Sequence, residues 1–465
     1  MKPVYPVAEI RRAEAEAFQT VGDDVLMQRA AHGLANEILK LLKARRGKAA
    51  GAKVLILAGP GNNGGDALFA GARLAARGVW VEAARTAGAV HEAGWAALSA
   101  ATRRTLGVPL EAVSAVGFDL VVDGVLGIGG RPGLPEPLAA LARSLPPRRV
   151  VAVDLPSGLS ADPPFGGLPH FKAGLTVTFG GLKPVHVLQP GRSACGEVAL
   201  IDIGLGDMRP GIQVTELEDL DWPSPGPMSD KYSRGVVGVD AGSRQYPGAG
   251  VLAVTGAVHA GAGMVRFLGD QVVAEQILAR YPNTVIGGPP RVDAMVLGPG
   301  WGERRDGAKV VAALVASGVP MAVDADGLRY LPATLRPDVV LTPHAGELAR
   351  LLSVPRDEVE ADPVSHTAAA AARWNATVLL KGANQVIATP GSHTVVQPLP
   401  GPAWTAQAGS GDVLAGVIGA FLAAGSEPVR AAQLGASLQA LAAASNPGPL
   451  PPQELAAVFP QIAGA

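Results

Sequence analysis

The sequence is poor in the residues that staple, charge or anchor a protein. Among its 465 residues there is one cysteine, Cys195. That excludes an intramolecular disulfide framework and any cysteine-built zinc site. None of the eight histidines is spaced i, i+4 from another or adjoins the cysteine, so a catalytic zinc has no ligand set to draw on. Lys plus Arg number 39 against 40 for Asp plus Glu, a net charge of −1. This leaves no basic footprint for nucleic acid or an anionic membrane. The apolar run Val413–Ser426 starts beside Asp412 and stops at Glu427, short of the ~20 residues that a span needs. The mean hydropathy of +0.25 therefore reads as tightly packed interior. Early residues such as Glu9, Arg11, Arg12 and Glu14 leave no signal-peptide core. A soluble, cytoplasmic protein is expected.

What is abundant is core and turn material. Hydrophobic residues make up 48%, which rules out a mainly disordered chain. The 60 glycines and 40 prolines follow no period and read as many tight turns. The length suits two large domains. Short apolar, β-rich runs alternate with Ala/Leu-rich stretches throughout. In the first half the strand candidates are Lys53–Ala58, Val79–Ala83, Leu120–Asp123, Val150–Asp154, Leu175–Phe179 and Val198–Ile203, with helices expected at Asp66–Arg77 and Pro137–Ser144. In the second half they are Val236–Asp240, Met295–Leu297, Met321–Asp324, Val339–Thr342 and Val378–Lys381. Continuous apolar strands between helices indicate mostly parallel sheets covered on both faces, an α/β fold. The Pro-rich stretch 221–227 (DWPSPGP) is the best linker candidate. Domains 1–215 and 216–465 are expected.

The densest motif of the first half is Gly59–Ala70, GPGNNGGDALFA, between a strand and a helix. Gly59, Gly61 and Gly64 fit G-x-G-x-x-G, and Glu82 ends the next strand, so a Rossmann dinucleotide fingerprint is one reading. Asn62, Asn63 and Asp66 favour another. They add amide and carboxylate groups to a phosphate-cradling helix start. Two more loops follow strands, VVDGVLGIGGRPG with Asp123 and VAVDLPSGL with Asp154 and Ser157. Parallel strands would bring all three loops to one sheet edge. There Asn63, Asp123 and the Ser157 hydroxyl could share a cation. Mg²⁺ prefers a rigid octahedron and more carboxylate, and a softer, monovalent-type site is one reading. Each Asp alone is equally a turn or cap residue.

These motifs, with GLTVTFGGLKP (Gly174–Pro184), GEVALIDIGL (Gly196–Leu205) and the early Leu26–Met27 and Arg29–Ala31, carry a specific likeness. The sequence resembles the bifunctional NAD(P)H-hydrate repair enzymes, in which an epimerase domain is fused to an ADP-dependent dehydratase domain. The resemblance covers nearly the whole chain. It implies a Rossmann-like αβα sandwich that interconverts the R and S hydrates at nicotinamide C6. It puts K⁺ on Asn63, Asp123 and Ser157. Substrate contacts fall on Asn62, Asn63, Gly64, Gly65 and Asp66. They also fall on the loop Gly127, Ile128, Gly129, Gly130, Arg131, Pro132 and Gly133, and on Asp154. An ionised Asp154 beside the ring is a sensible acid/base.

The strongest signal of the second half is Thr405–Gly416, TAQAGSGDVLAG. Glycine N–H groups at a helix start make an anion hole. Asp412, just inside, is placed as a base toward a hydroxyl, although such an acid also suits a helix start by itself. This resembles the ribokinase-like superfamily. The resemblance extends to Ser229–Gly235, to Ala253 in a Gly/Ala-rich helix, and to VLGPGWG with Gly300 and Gly302. It continues through MAVDADGL, TPHAGE with His344, and TVLLKGANQVI. It implies substrate contacts at Ala253, Gly300, Gly302, His344 and Asp412. Nucleotide contacts are implied at Lys381, Gly382, Ala383, Asn384 and Gln385, and at Gly409, Ser410 and Gly411. Asp412 would deprotonate the C6 hydroxyl of the S hydrate (NADHX or NADPHX) for attack on the terminal phosphate of ADP, with Mg²⁺ offsetting nucleotide charge. AMP and phosphate would then be released. A homo-oligomer acting on small molecules, without nucleic acid or membrane, is expected. Two alternatives stay open here, a ribokinase-like vitamin or sugar kinase with an accessory nucleotide-binding domain and a non-catalytic nucleotide-binding scaffold.

Overall fold

A computed structural model describes residues 1–102, 107, 117–288 and 291–464. Packing divides the chain into two compact units, Pro3–Gly211 and Ile212–Ala465, with Met1–Lys2 counted in the second. The division falls a few residues ahead of the Pro-rich stretch read as a linker. That stretch belongs to the second unit, where Trp222 packs on Phe421 with ring centroids 6.3 Å apart.

The short β1 (Lys2–Val4) straddles the division, and the N-terminal unit then runs α1 (Val7–Val21), α2 (Asp23–Arg46), β2 (Lys53–Ala58), α3 (Asn62–Ala75), β3 (Trp80–Arg85), α4 (Glu92–Thr102), β4 (Leu120–Gly124), α5 (Leu138–Ser144), β5 (Val150–Val153), β6 (Leu175–Phe179), α6 (Gly191–Cys195) and β7 (Glu197–Ile201). Its sheet has the order β3-β2-β4-β5-β6-β7 and is parallel throughout. Strands β4, β5 and β6 are buried along their whole length, as a sheet covered on both faces requires. One core packs α2 and α3 on one face, and another packs α5 on the other. This is the expected αβα sandwich. Helix α3 starts at Asn62, four residues before the expected Asp66. Gly64 and Gly65 are poor helix formers, but Gly64 is needed here and Gly65 sits in a tight place. A Cβ on Gly64 would overlap the Gly59 carbonyl, and one on Gly65 would lie 3.0 Å from the His91 ring. Cys195 is fully buried. Its Sγ lies 3.5 Å from the Val185 carbonyl oxygen, and burial pushes the thiol up to about 12.

The C-terminal unit runs β8 (Ile212–Val214), β9 (Val236–Asp240), α7 (Pro247–His259), β10 (Met264–Phe267), α8 (Gln271–Arg280), β11 (Val285–Ile286), β12 (Ala294–Leu297), α9 (Gly307–Ser317), β13 (Met321–Val323), β14 (Val339–Leu341), α10 (Ala345–Leu352), α11 (Arg356–Ala361), α12 (Pro363–Trp374), β15 (Thr377–Leu380), β16 (Val386–Ala388), β17 (Val395–Gln397), α13 (Ser410–Ala423), α14 (Pro428–Ser445), α15 (Pro452–Ala456) and α16 (Phe459–Ala463). Its strands are ordered β8-β17-β16-β15-β14-β13-β12-β9-β10-β11. Only β16 runs against its neighbours. Every residue of α13 from Val413 onward is buried, because a helix apolar on all sides belongs in a core. It lies against α7 so closely that a Cβ on Gly416 would overlap the Ala253 carbonyl, and one on Gly256 the Val413 carbonyl. Among the described residues no helix is long and apolar enough to cross a membrane.

Candidate active sites

In the N-terminal unit the strand order reverses at β2, which has β3 on one side and β4 on the other. Open α/β sheets bind ligands at the strand C-termini beside such a reversal. The turn Gly59–Gly61 leads from β2 into α3, and Asp123 and the Gly127–Gly133 loop follow on β4. Gly59 is obligatory, since a Cβ there would overlap the Val125 carbonyl. The loop forms a partly exposed rim, with Gly129, Arg131 and Pro132 exposed. It is tied down by Gly133 N donating to the Gly158 carbonyl at 2.8 Å and by Arg11 donating to the Ile128 carbonyl at 3.1 Å.

Asp154 follows β5 with a left-handed backbone, φ 66°. Its buried carboxylate accepts from Lys183 Nζ at 2.6 Å and from Thr178 Oγ1 at 2.9 Å, both on Oδ1. Lys183 is itself 1% exposed. Its other two donors go to Thr178 Oγ1 at 2.8 Å and the Phe179 carbonyl at 3.0 Å. Burial alone would raise the Asp154 carboxyl, but Lys183, helped by His186 and the Thr178 hydroxyl, holds the group below its ordinary value. His186 Nε2 pairs with the Asp154 carbonyl at 2.8 Å, and burial, then Lys183, push that imidazole down to about 4. A neutral His186 therefore donates to the carbonyl. Asp66 and Glu14 complete the electrostatics. Both carboxyls are raised, first by burial and then by the charge of Asp154.

Beside this pocket, Asp123 is fully buried. It accepts from Ser157 N at 2.8 Å, Ser157 Oγ at 2.6 Å and Val125 N at 3.3 Å. Burial outweighs these bonds and pushes the carboxyl up to about 6. Asn63 Nδ2 is buried with no partner. A Cβ on Gly127 would lie 3.0 Å from Asn63 Oδ1, so the amide faces the β4 loop. Amide orientation is an assignment. Turned over, the same amide presents an unpartnered oxygen toward that loop. With Asp123 and Ser157 it makes an oxygen-only set, the donor chemistry of hard cations.

In the C-terminal unit the order reverses at β9, between β10 and β12. Asp240 ends β9. It is held by Arg304 Nη1 at 2.6 Å and Trp301 Nε1 at 3.0 Å, while burial raises its carboxyl. Gly300 and Gly302, at φ 63° and 62°, shape the turn that presents Trp301, and Gly302 N donates to Asp326 at 2.8 Å. Asp324 follows β13, 1% exposed, and is paired with Lys381 from the end of β15. Lys381 Nζ lies 3.0 Å from where a Gly411 Cβ would be, so the ion pair abuts the GSGD turn. Asp412 sits in the first turn of α13 behind Gly409, φ 90°. Burial, then the neighbouring Asp324, push its carboxyl up to about 7, against the pull of Lys381. His344 caps α10, accepting from Gly346 N at 3.0 Å and Glu347 N at 3.2 Å. Its exposed ring leaves Nε2 near Glu347 at 3.5 Å.

A family model described as NAD(P)H-hydrate dehydratase matches residues 237–456, and one described as YjeF-related protein N-terminus matches 23–185. The bifunctional NAD(P)H-hydrate repair enzyme Nnr of Mycobacterium leprae is 43% identical, over 97% of this chain and 96% of its own. The chain belongs to the bifunctional NAD(P)H-hydrate repair enzyme family. The Mycobacterium tuberculosis enzyme of the same name is also 43% identical, over 91% of this chain and 90% of its own. A ribokinase-like superfamily protein from Enterococcus faecalis, at 22% identity and TM-score 0.50, covers 55% of this chain and 96% of that one and shares its fold.

For a repair-enzyme fold, most of the residues singled out in the sequence lie at the two sheet edges. Ala253 is the exception. It is fully buried in the core at the α7–α13 crossing, so its side chain offers no ligand surface and serves to seat α13. Lys381 is less free than the sequence suggested, because its ammonium is committed to Asp324. Lys183, Glu14, Asp240, Arg304 and Asp324 were not singled out as site residues. The bonded partners of Lys183, Arg304 and Asp324 lie 29, 64 and 57 residues away in sequence, and no local motif signals such pairs.

Proposed function

We propose that the chain repairs hydrated NADH and NADPH in two steps. The N-terminal unit interconverts the R and S hydrates at C6. The C-terminal unit dehydrates the S hydrate at the expense of ADP, releasing AMP and phosphate. The observation that carries the reading is a pair of carboxylates in opposite states. Asp154 is held ionised by Lys183 in the first pocket, and Asp412 is poised near neutrality beside the Lys381–Asp324 pair in the second. A carboxyl whose surroundings move its titration in a cleft is a candidate acid or base for that cleft.

In the first pocket Asn62, Gly64, Gly65 and the Gly127–Gly133 rim hold the hydrate, and Asp154 exchanges a proton with the C6 oxygen. K⁺ on Asn63, Asp123 and Ser157 would fix the loops that shape this pocket. In the second, Gly300, Gly302 and His344 hold the S hydrate. Gly409, Ser410 and Gly411 receive the phosphoryl group at the start of α13. Gly382, Ala383, Asn384 and Gln385 line the nucleotide side. Asp412 takes the C6 hydroxyl proton as the oxygen attacks the terminal phosphate, and phosphate then leaves as the ring nitrogen lone pair restores the dihydropyridine. No group of three or more His, Cys, Asp or Glu side chains is arranged for a metal among the described residues. Mg²⁺ would thus enter on the nucleotide phosphates, whose charge it neutralises.

The deciding assay incubates mixed hydrate epimers with the protein, with and without ADP, while absorbance of reduced nicotinamide is followed. Full conversion of both epimers with ADP, and interconversion alone without it, is the expected result. A stable phosphorylated product with no NADH would sink the reading. Replacing K⁺ by a large organic cation is expected to slow interconversion at least about tenfold and leave dehydration of pure S hydrate unchanged, the scale seen when shells around a metal site are lost. An interconversion rate indifferent to K⁺ removes the ion from the scheme.

A further inference from the structure

Asp66 has no role of its own in the two-step reading beyond touching substrate, yet its surroundings are unusual. It is 9% exposed on the first turns of α3. Among the described residues its side chain makes no hydrogen bond. The nearest buried cation cannot serve it, because all three donors of Lys183 are already spent on Asp154, Thr178 and the Phe179 carbonyl. The groups that face it are Asp154 after β5 and Glu14 from α1. Both are acidic and both repel charge on Asp66. Arg11 acts on Glu14 but is bonded to Ile128. The His91 ring, ahead of α4, lies against Gly65 and accepts from Gly94 N at 3.1 Å. The helix N-terminus favours an anion but supplies no counter-ion. A largely buried carboxyl with neither donor nor cation keeps its proton to higher pH than an ordinary Asp.

Resting on the epimerase reading, we propose that Asp66 is the general acid of the N-terminal site and Asp154 its partner base, one for each face of the hydrated ring. The ring nitrogen lone pair forms N1=C6 as the C6–O bond breaks, and the departing hydroxyl takes the Asp66 proton and leaves as water. A water then adds to C6 from the opposite face and gives its proton to Asp154. The N1=C6 electron pair returns to nitrogen. Solvent carries the proton from Asp154 back to Asp66, and in the reverse direction the two carboxyls exchange roles. This assignment explains why Lys183 is bonded to one carboxyl only. A cation shared between them would leave both ionised and the site without an acid.

The test compares wild type, Asp66→Asn and Asp66→Glu in R/S interconversion, in constant K⁺, as a function of pH. Wild type is expected to lose kcat/KM at alkaline pH as Asp66 ionises. Asp66→Asn should drop kcat at least about 100-fold with KM within a few fold, and its alkaline limb should vanish, as removal of a general acid requires. Asp66→Glu should recover part of kcat and restore the limb at a shifted pH. Infrared difference spectra at neutral pH should show a protonated-carboxyl band in wild type that Asp66→Asn lacks. Should Asp66→Asn not fold, the rate of Asp66→Glu and the pH of its alkaline limb decide. An unchanged alkaline limb in Asp66→Asn, a rise in KM with kcat retained, or no limb in Asp66→Glu overturns the proposal. If wild type itself does not interconvert the epimers, the epimerase reading fails instead.

Discussion

Asp412→Asn is expected to lose ADP-dependent dehydration by at least about 100-fold and to keep interconverting the R and S hydrates at the wild-type rate. The magnitude is that of a missing general base. Asn has the size of Asp, so the glycine turn at the start of α13 stays open, but it cannot accept the hydroxyl proton. The variant should fold well, since it removes an anion that faces Asp324, Asp326 and Glu347. Wild-type kcat/KM for the S hydrate should rise with pH through about 7, where Asp412 ionises, and level off above it. The sign follows from the base having to be deprotonated. In Asp412→Asn that limb disappears along with the rate. A pH-rate profile on pure S hydrate with saturating ADP checks both, and dehydration surviving within tenfold would remove Asp412 from the chemistry.

The second large effect is Asp154→Asn, expected to stop R/S interconversion by about 100-fold or more and to spare dehydration of pure S hydrate. Asn is the right replacement because the backbone is left-handed at φ 66°, a conformation that Asn tolerates well. The side chain keeps an oxygen for Thr178 but leaves the Lys183 ammonium, 1% exposed, without its counter-ion. Breaking a buried pair costs ~3–5 kcal/mol, so a lower melting temperature of the N-terminal unit is part of the expectation. Asp154→Asn combined with Lys183→Met removes the stranded charge. It should regain most of the stability and none of the activity. Chromatographic separation of the epimers reads the rate. Interconversion returning in the double variant would show that Asp154 acts through the fold alone.

The sequence announces the architecture well because both sheets are built from uninterrupted apolar strands. Val236–Asp240 and Leu175–Phe179, for instance, appear as expected to the residue. It hides short strands such as β11 and β16, two and three residues long, where no periodicity can develop. It also misplaces the start of α3, since propensity argues against Gly64 and Gly65 in a helix and only the approach of the Gly59 carbonyl and His91 explains them. Glycine turns and strand-end acids gave most of the candidate sites. The cations that set their charge states, Lys183 and Lys381, are decided by strand adjacency. β5 lies beside β6, and that brings Lys183 to Asp154.

The sealed thiol of Cys195 has a practical consequence. Because it is fully buried and titrates far above neutrality, maleimide reagents at ordinary pH find nothing to react with on the native surface. A single cysteine placed at will on each unit then becomes a clean handle for a fluorophore or spin label. Distances between the two catalytic bodies can be tracked through turnover, with no background to subtract.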